Sequence, residues 1–198
     1  MIDIPQKALA YYVSLLDVPV QLAVKLLPHL SFKELKKNEV LVKPGDYCST
    51  GYIVVSGGLI VSHVNQYNQE EKVVNFFLPS LQPFATATDS YFTGKKTHCK
   101  LFAFEKTIVC YISKSDFENK LKADSEMMNY YLISLNQMLV FESNLRMKLL
   151  TFTSKQFYYF LLKEYPQIVQ NIPTKYIAQF MGISREWLSK IKSQKDDF

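Results

Sequence analysis

Apolar positions change their spacing twice along this 198-residue chain. Between Glu34 and Lys114 they come as short β-branched and aromatic runs, among them Tyr52 to Val55, Leu59 to Val61, Val73 to Phe77 and Ile108 to Ile112. Turn residues punctuate these runs, and five of the six glycines fall between Gly45 and Gly94. Ser56-Gly57-Gly58, set between two runs, predicts a tight hairpin, because such turns need positive φ. Pro44-Gly45-Asp46 predicts a second turn. Many short strands at this spacing predict an antiparallel jelly-roll barrel. Ahead of it, Gln6 to Leu27 reads as helix, broken at Pro19.

From about Ser125 to Leu150 glycine and proline vanish and the period lengthens. Met128, Tyr131, Leu135, Met138, Leu145 and Leu149 recur at steps of three and four, with Glu142 as the one polar member. This predicts a helix of about 25 residues carrying an a/d stripe. Such a stripe serves either as a seam between two copies or as the face by which a helix lies on its own domain. Its length and narrowness favour the seam. Ser154 then reads as a cap for a helix from Lys155 to about Tyr165, ended by Pro166.

The last segment, Ile172 to Lys195, divides into two short helices about Gly182. Ile177 and Met181 share one face, and Leu188 and Ile191 another. Ala178 is small where two helices must approach. Gly182 stands where a left-handed residue ends a helix. Ile183 plugs the turn, and Ser184 is a good N-cap. Together these features predict a helix-turn-helix. Its second helix would present Arg185, Glu186, Ser189 and Lys190 near the N-terminal end, the part that reads bases in a major groove. Lys175, Lys192 and Lys195 suit phosphates.

Charge supports this placement. The chain carries +5, with a pI of about 8.9. Ile172 to Lys195 holds five basic residues against Glu186 alone, a local +4. Cys48, Cys99 and Cys110 are odd in number and widely spaced, so they read as reduced thiols in a cytoplasmic protein. No run of 18 apolar residues predicts a membrane span. An enzyme finds no motif: His29, His63 and His98 have no recognisable Ser, Cys or Asp partner, and no Gly-rich loop would cradle phosphate.

The stretch Ile183-Ser184-Arg185-Glu186, followed by Leu188-Ser189-Lys190-Ile191, resembles the recognition helix of the Crp–Fnr family of bacterial regulators. Arg185, Glu186 and Lys190 match base-reading positions, with Lys190 where Arg is usual. Thr174 and Ser184 match phosphate-contacting positions. Gly45-Asp46, Tyr52-Ile53-Val54 and Gly57-Gly58 resemble the start of a cyclic-nucleotide-binding barrel. The resemblance implies a homodimer on double-stranded DNA, with RNA polymerase as a further contact. It also implies a barrel that senses a ligand and reorients the DNA-binding units.

Two departures stand out. Nucleotide-binding members carry a Gly-Glu pair, then an Arg followed by Ser or Thr. Here Phe84 to Thr88 and Gly94-Lys95-Lys96-Thr97 hold neither the pair nor the Arg. Phe141 and Glu142 also stand where adenine-contacting hydroxyls would be. These changes argue against cAMP. They leave Lys95, Lys96 and Thr97 as candidates for a small anionic effector, and no cofactor is called for. The second departure is a reduced β-wing after the recognition helix.

The expected fold is α+β, with a sensor barrel and dimerisation helix over 1–150 and a helical DNA-binding domain over 151–198. The expected function is transcriptional regulation. The alternative is a ligand- or protein-binding barrel with a non-functional helical tail. Exposure of Arg185, Glu186 and Lys190 discriminates the two.

Overall fold

A computed structural model describes residues 20–65 and 67–194. Helix α1 (Val20–Leu26) and a 3-10 turn (Leu27–His29) lead into eight strands. These are β1 (Ser31–Leu35), β2 (Val40–Val42), β3 (Thr50–Ser56), β4 (Leu59–Val64), β5 (Glu71–Phe77), β6 (Phe84–Ala85), β7 (Cys99–Ala103) and β8 (Thr107–Ser113). A short helix, α2 (Thr88–Tyr91), sits between β6 and β7. The remaining chain is helical: α3 (Lys114–Ala123), α4 (Ser125–Thr151), α5 (Ser154–Glu164), α6 (Pro166–Asn171), α7 (Thr174–Met181) and α8 (Arg185–Ser193). The expected helix from Gln6 to Pro19 lies outside the described residues.

The strands form two four-stranded antiparallel sheets, ordered β1-β8-β3-β6 and β2-β7-β4-β5. Alternation explains how both are filled. Along β4, Leu59 and Val61 point between the sheets while Ile60 points outward; along β7, Leu101 and Ala103 point in and Phe102 out. Leu35, Val54, Ala85 and Val109 meet them from the other sheet. The outward residues are buried too, under the C-terminal helices. Because β4 is covered on both faces, its sequence reads as an unbroken apolar run.

The hairpin expected at Ser56-Gly57-Gly58 is not formed. β3 pairs with β8 and β6, and β4 with β5 and β7, so this link hands the chain from one sheet to the other. Gly57 does take a positive φ of 75°. Crowding is the further reason for glycine there. A Cβ on Gly57 would lie 2.4 Å from the Lys106 carbonyl oxygen, and one on Gly58 would lie 2.3 Å from the Phe104 ring. The Pro44 to Asp46 turn forms as expected, closed by Asp46 N donating to the Lys43 carbonyl at 3.1 Å.

Helix α4 runs 27 residues and is capped by Asp124, whose carboxylate accepts from the amides of Glu126 and Met127. The stripe expected to be a dimer seam instead faces its own chain. Met128 and Tyr131 pack on Leu22, Leu121 and Met127. Leu135 and Met138 line a cavity beside the strands. Glu142 accepts a 2.6 Å hydrogen bond from Asn75 Nδ2 on β5. Leu145 is buried and Leu149 packed among the C-terminal helices. The helix lies on its own domain, and the stripe records that contact. A different apolar face is left open: Leu132, Ile133, Leu139, Val140, Met147 and Leu150 are between 43% and 77% exposed.

Two details beyond α4 also differ from expectation. The cap of α5 is Thr153, in a reciprocal capping box with Gln156, and Ser154 is already helical. Pro166 does end α5, but it also begins α6, which the sequence pattern did not announce. Proline is suited to the first helical turn because its missing N–H would have no partner there.

Candidate nucleic-acid interface

Helix α7 follows Pro173 and ends at Gly182, which takes the left-handed conformation at φ 66°. Ile183 N donates to the Ala178 carbonyl at 3.0 Å across five residues. That bond closes the end of α7 as glycine-terminated helices commonly close. Ser184 then caps α8, its Oγ accepting from Trp187 N at 3.1 Å. This leaves the Ser184 hydroxyl hydrogen free of the cap. The buried side of the pair is apolar, as expected: Ile177, Ala178, Leu188 and Ile191 are at most 2% exposed. Leu188 and Ile191 turn inward, so the opposite side of α8 must turn to solvent.

That outer side is where the sequence-chosen residues stand. Arg185, Glu186, Ser189 and Lys190 are all exposed and, with Ser193, line one open groove. Arg185 and Lys190 enter no ion pair among the described residues. The Glu186 carboxyl is held below the usual range by backbone and Ser184 hydrogen bonds at the helix N-terminus and by the Arg185 charge. It is therefore an ionised acceptor at neutral pH.

The flanks are more specific than expected. Lys192 Nζ donates to Thr174 Oγ1 at 3.0 Å, joining two candidate phosphate contacts into one cationic corner. Lys175 stands apart from that corner. Its ammonium lies 4.3 Å over the Tyr176 ring, and its charge helps hold the Glu71 carboxyl of β5 down. On the other flank Trp187 is 45% exposed, with Lys190 Nζ 5.4 Å from its ring. Sequence reading passed over this tryptophan. Its position one residue before Leu188, off the inward face, was the available signal.

Helix α7 also docks on the strands. The Phe180 ring meets Phe76 of β5 at 4.9 Å, and Tyr176 meets Phe102 of β7 at 5.8 Å. The helix-turn-helix and the outer face of the second sheet thus share one apolar core. No strand follows α8 among the described residues, and Lys195 to Phe198 lie outside them.

Lys95, Lys96 and Thr97 do not converge as an anion site. Lys95 and Lys96 are exposed, the latter with its Nζ 5.9 Å from the Tyr47 ring. Thr97 is 1% exposed. Its hydroxyl donates to Asp89 Oδ1 at 2.6 Å, while His98 N donates to Asp89 Oδ2 at 2.8 Å. Ser90 N donates to Asp89 Oδ1 at 2.9 Å. The Thr97 hydroxyl and the Ser90 and His98 amides are therefore committed to the chain's own carboxylate. Partial burial opposes ionisation of Asp89, but these hydrogen bonds more than offset it and hold the carboxyl below its usual range. Nearby, Thr86 donates to the Thr50 carbonyl at 3.0 Å, and Ala87 is fully buried. Neither presents a group to a ligand. Among the described residues no group of three or more His, Cys, Asp or Glu could hold a metal, and no helix is long and apolar enough to cross a membrane.

Residues 32–124 match the family model of the cyclic nucleotide-binding domain. No curated protein matches the chain by sequence. Among solved structures, the chain is similar to FixK2 from Bradyrhizobium japonicum, with a TM-score of 0.70 at 16% identity over 83% of each chain. It is similar to the c-di-GMP-responsive global regulator CLP from Xanthomonas campestris, with a TM-score of 0.66 at 16% identity over 87% of this chain and 89% of that one. It is also similar to the catabolite activator protein of Thermus thermophilus, with a TM-score of 0.52 at 17% identity over 88% and 82%. The chain shares the fold of these solved structures: two antiparallel sheets, over which residues 32–124 match the cyclic nucleotide-binding domain, followed by a long helix and a helix-turn-helix.

Proposed function

We propose, on the premise of that fold, that the chain is a dimeric DNA-binding transcriptional regulator that reads the major groove with α8. One observation carries the reading: Arg185, Glu186, Ser189 and Lys190 share an open face of a capped helix. A guanidinium can hold the two acceptors of guanine, and a carboxylate can accept from cytosine N4. The Thr174–Lys192 corner would grip the flanking phosphate and fix the register. Exposure of these residues favours this reading over a barrel with an idle tail.

Dimerisation uses the open face of α4 in this reading. Ile133, Val140 and Met147 repeat at seven residues, as do Leu132 and Leu139. Seven-residue spacing of exposed apolar positions suits pairing of two helices. Two copies would set two half-sites about one helical turn apart, roughly 34 Å. RNA polymerase as a further contact follows from the family resemblance alone. The cyclic nucleotide-binding domain does not take cAMP in this reading, because Asp89 fills the donors and apolar side chains fill the space between the sheets.

The test is selection from pooled random duplex DNA at two salt concentrations. An enriched two-part sequence whose affinity falls steeply with salt is expected. No enrichment and a flat salt response overturn the reading. Leu139→Glu should convert the dimer to a monomer in sedimentation. A wild-type monomer at micromolar concentration would refute the α4 contact.

A further inference from the structure

A cavity of about 380 Å³ opens between α1, the strands and the first half of α4. Its size falls within the range of small-molecule sites. Leu26, Phe84, Leu121, Leu135 and Met138 supply apolar walls. None of the described lining residues is charged. The polar lining consists of neutral groups, among them Ser80, Ser134 and Gln137.

Gln82 lines the same cavity with its backbone held at φ 46°. Its Oε1 accepts from Asn75 at 3.4 Å. Burial raises the Glu142 carboxyl, and the buried Gln82 Nε2 opposes that rise from nearby without completing a hydrogen bond. The donor is thus only partly satisfied, and an acceptor brought in by a ligand completes it.

Two contacts lead from this cavity toward the helix-turn-helix. Phe141 lines it and meets the Tyr165 ring, which joins α5 to α6, at 5.1 Å. Gln82 reaches Asn75, whose neighbour Phe76 carries Phe180 of α7. The geometry points to this cavity as an effector site for an uncharged, largely apolar small molecule bearing one hydrogen-bond acceptor. It is distinct from the closed site around Asp89. Its binding function stands on the cavity alone, and its influence on α8 rests on the DNA-binding reading.

The probe is Nile red, a neutral apolar dye with a carbonyl acceptor, titrated into the full chain without DNA. Saturable fluorescence enhancement with one dye per chain is expected. Ser134→Phe should weaken binding at least about tenfold by filling the cavity. Gln137→Trp, at an exposed rim position, serves if the first variant fails to fold. Gln82→Leu should weaken it about threefold or more through loss of the donor. Tyr67→Ala, fully exposed in the loop between β4 and β5, should leave it unchanged. Absence of saturable binding overturns the site. So does binding that survives folded cavity-filling variants or disappears in Tyr67→Ala. With dye bound, affinity for the selected duplex should shift about fivefold or more. Dye binding without that shift overturns the coupling. Dye binding by a chain that selects no DNA leaves the cavity standing and removes the DNA reading instead.

Discussion

The groove on α8 and the loop around Asp89 use similar polar chemistry to opposite ends. In the first, Arg185 and Lys190 face outward without an ion pair among the described residues. In the second, Thr97, His98 and Ser90 direct three donors onto one internal carboxylate. A helix with one buried edge has no room to turn its other residues inward, so they stay available. A loop folded over a short helix can bring its own anion to its own donors. The contrast teaches that polar residues mark a binding site only where the backbone keeps them apart from one another.

The largest effect that would break this contrast is expected on α8. Arg185→Ala should relax preference at one base pair per half-site, a loss of about 1–3 kcal/mol, measured on matched and singly altered duplexes. Unchanged preference would mean that Arg185 does not read a base. Asp89→Ala should lower stability by about 1–2 kcal/mol in denaturant unfolding, because Thr97 and the His98 amide lose their acceptor. Equal stability would show that the Asp89 contacts carry no weight.

Acid sharpens the same point. The folded Asp89 carboxyl lies below its unfolded value of about 3.9, so its contribution is present above that pH. The contribution is lost as pH falls through the lower folded value. The wild type should therefore lose stability over this window more steeply than Asp89→Ala. The smallest effect belongs to Lys192→Ala, which should weaken all duplexes alike and reduce the salt slope by about 1. A sequence-dependent effect there would move Lys192 from the phosphate corner into the reading face.

Much of α8 and the turn before it was legible because its cues are local. Gly182, Ser184 and the Leu188–Ile191 pair each act within one or two turns. The strands were legible for a similar reason. Their partners were not, since the Gly57–Gly58 link resembles a hairpin and only crowding by Phe104 and Lys106 shows why glycine is there. The α4 stripe was legible, but the surface of its own chain on which it packs was not. Periodicity marks which face of a helix is buried, and it does not name what lies against that face. Asp89 escaped notice because a donor's partner can lie eight residues away across a turn.

The crossing at Gly57 and Gly58 also bears on how the molecule assembles. With β3 and β4 in different sheets, the zipper between them is missing, and the second sheet closes only through pairings such as Leu59 of β4 with Ala103 of β7. Contacts so distant along the chain form slowly, because loop entropy must be overcome first. The outer face that supports α7 exists only after that closure. We expect the helical segments to gain secondary structure early and the docked arrangement to follow at the rate of sheet formation. Refolding followed in parallel by far-ultraviolet circular dichroism and by the fluorescence of Trp187 would test this order. Simultaneous traces would refute it.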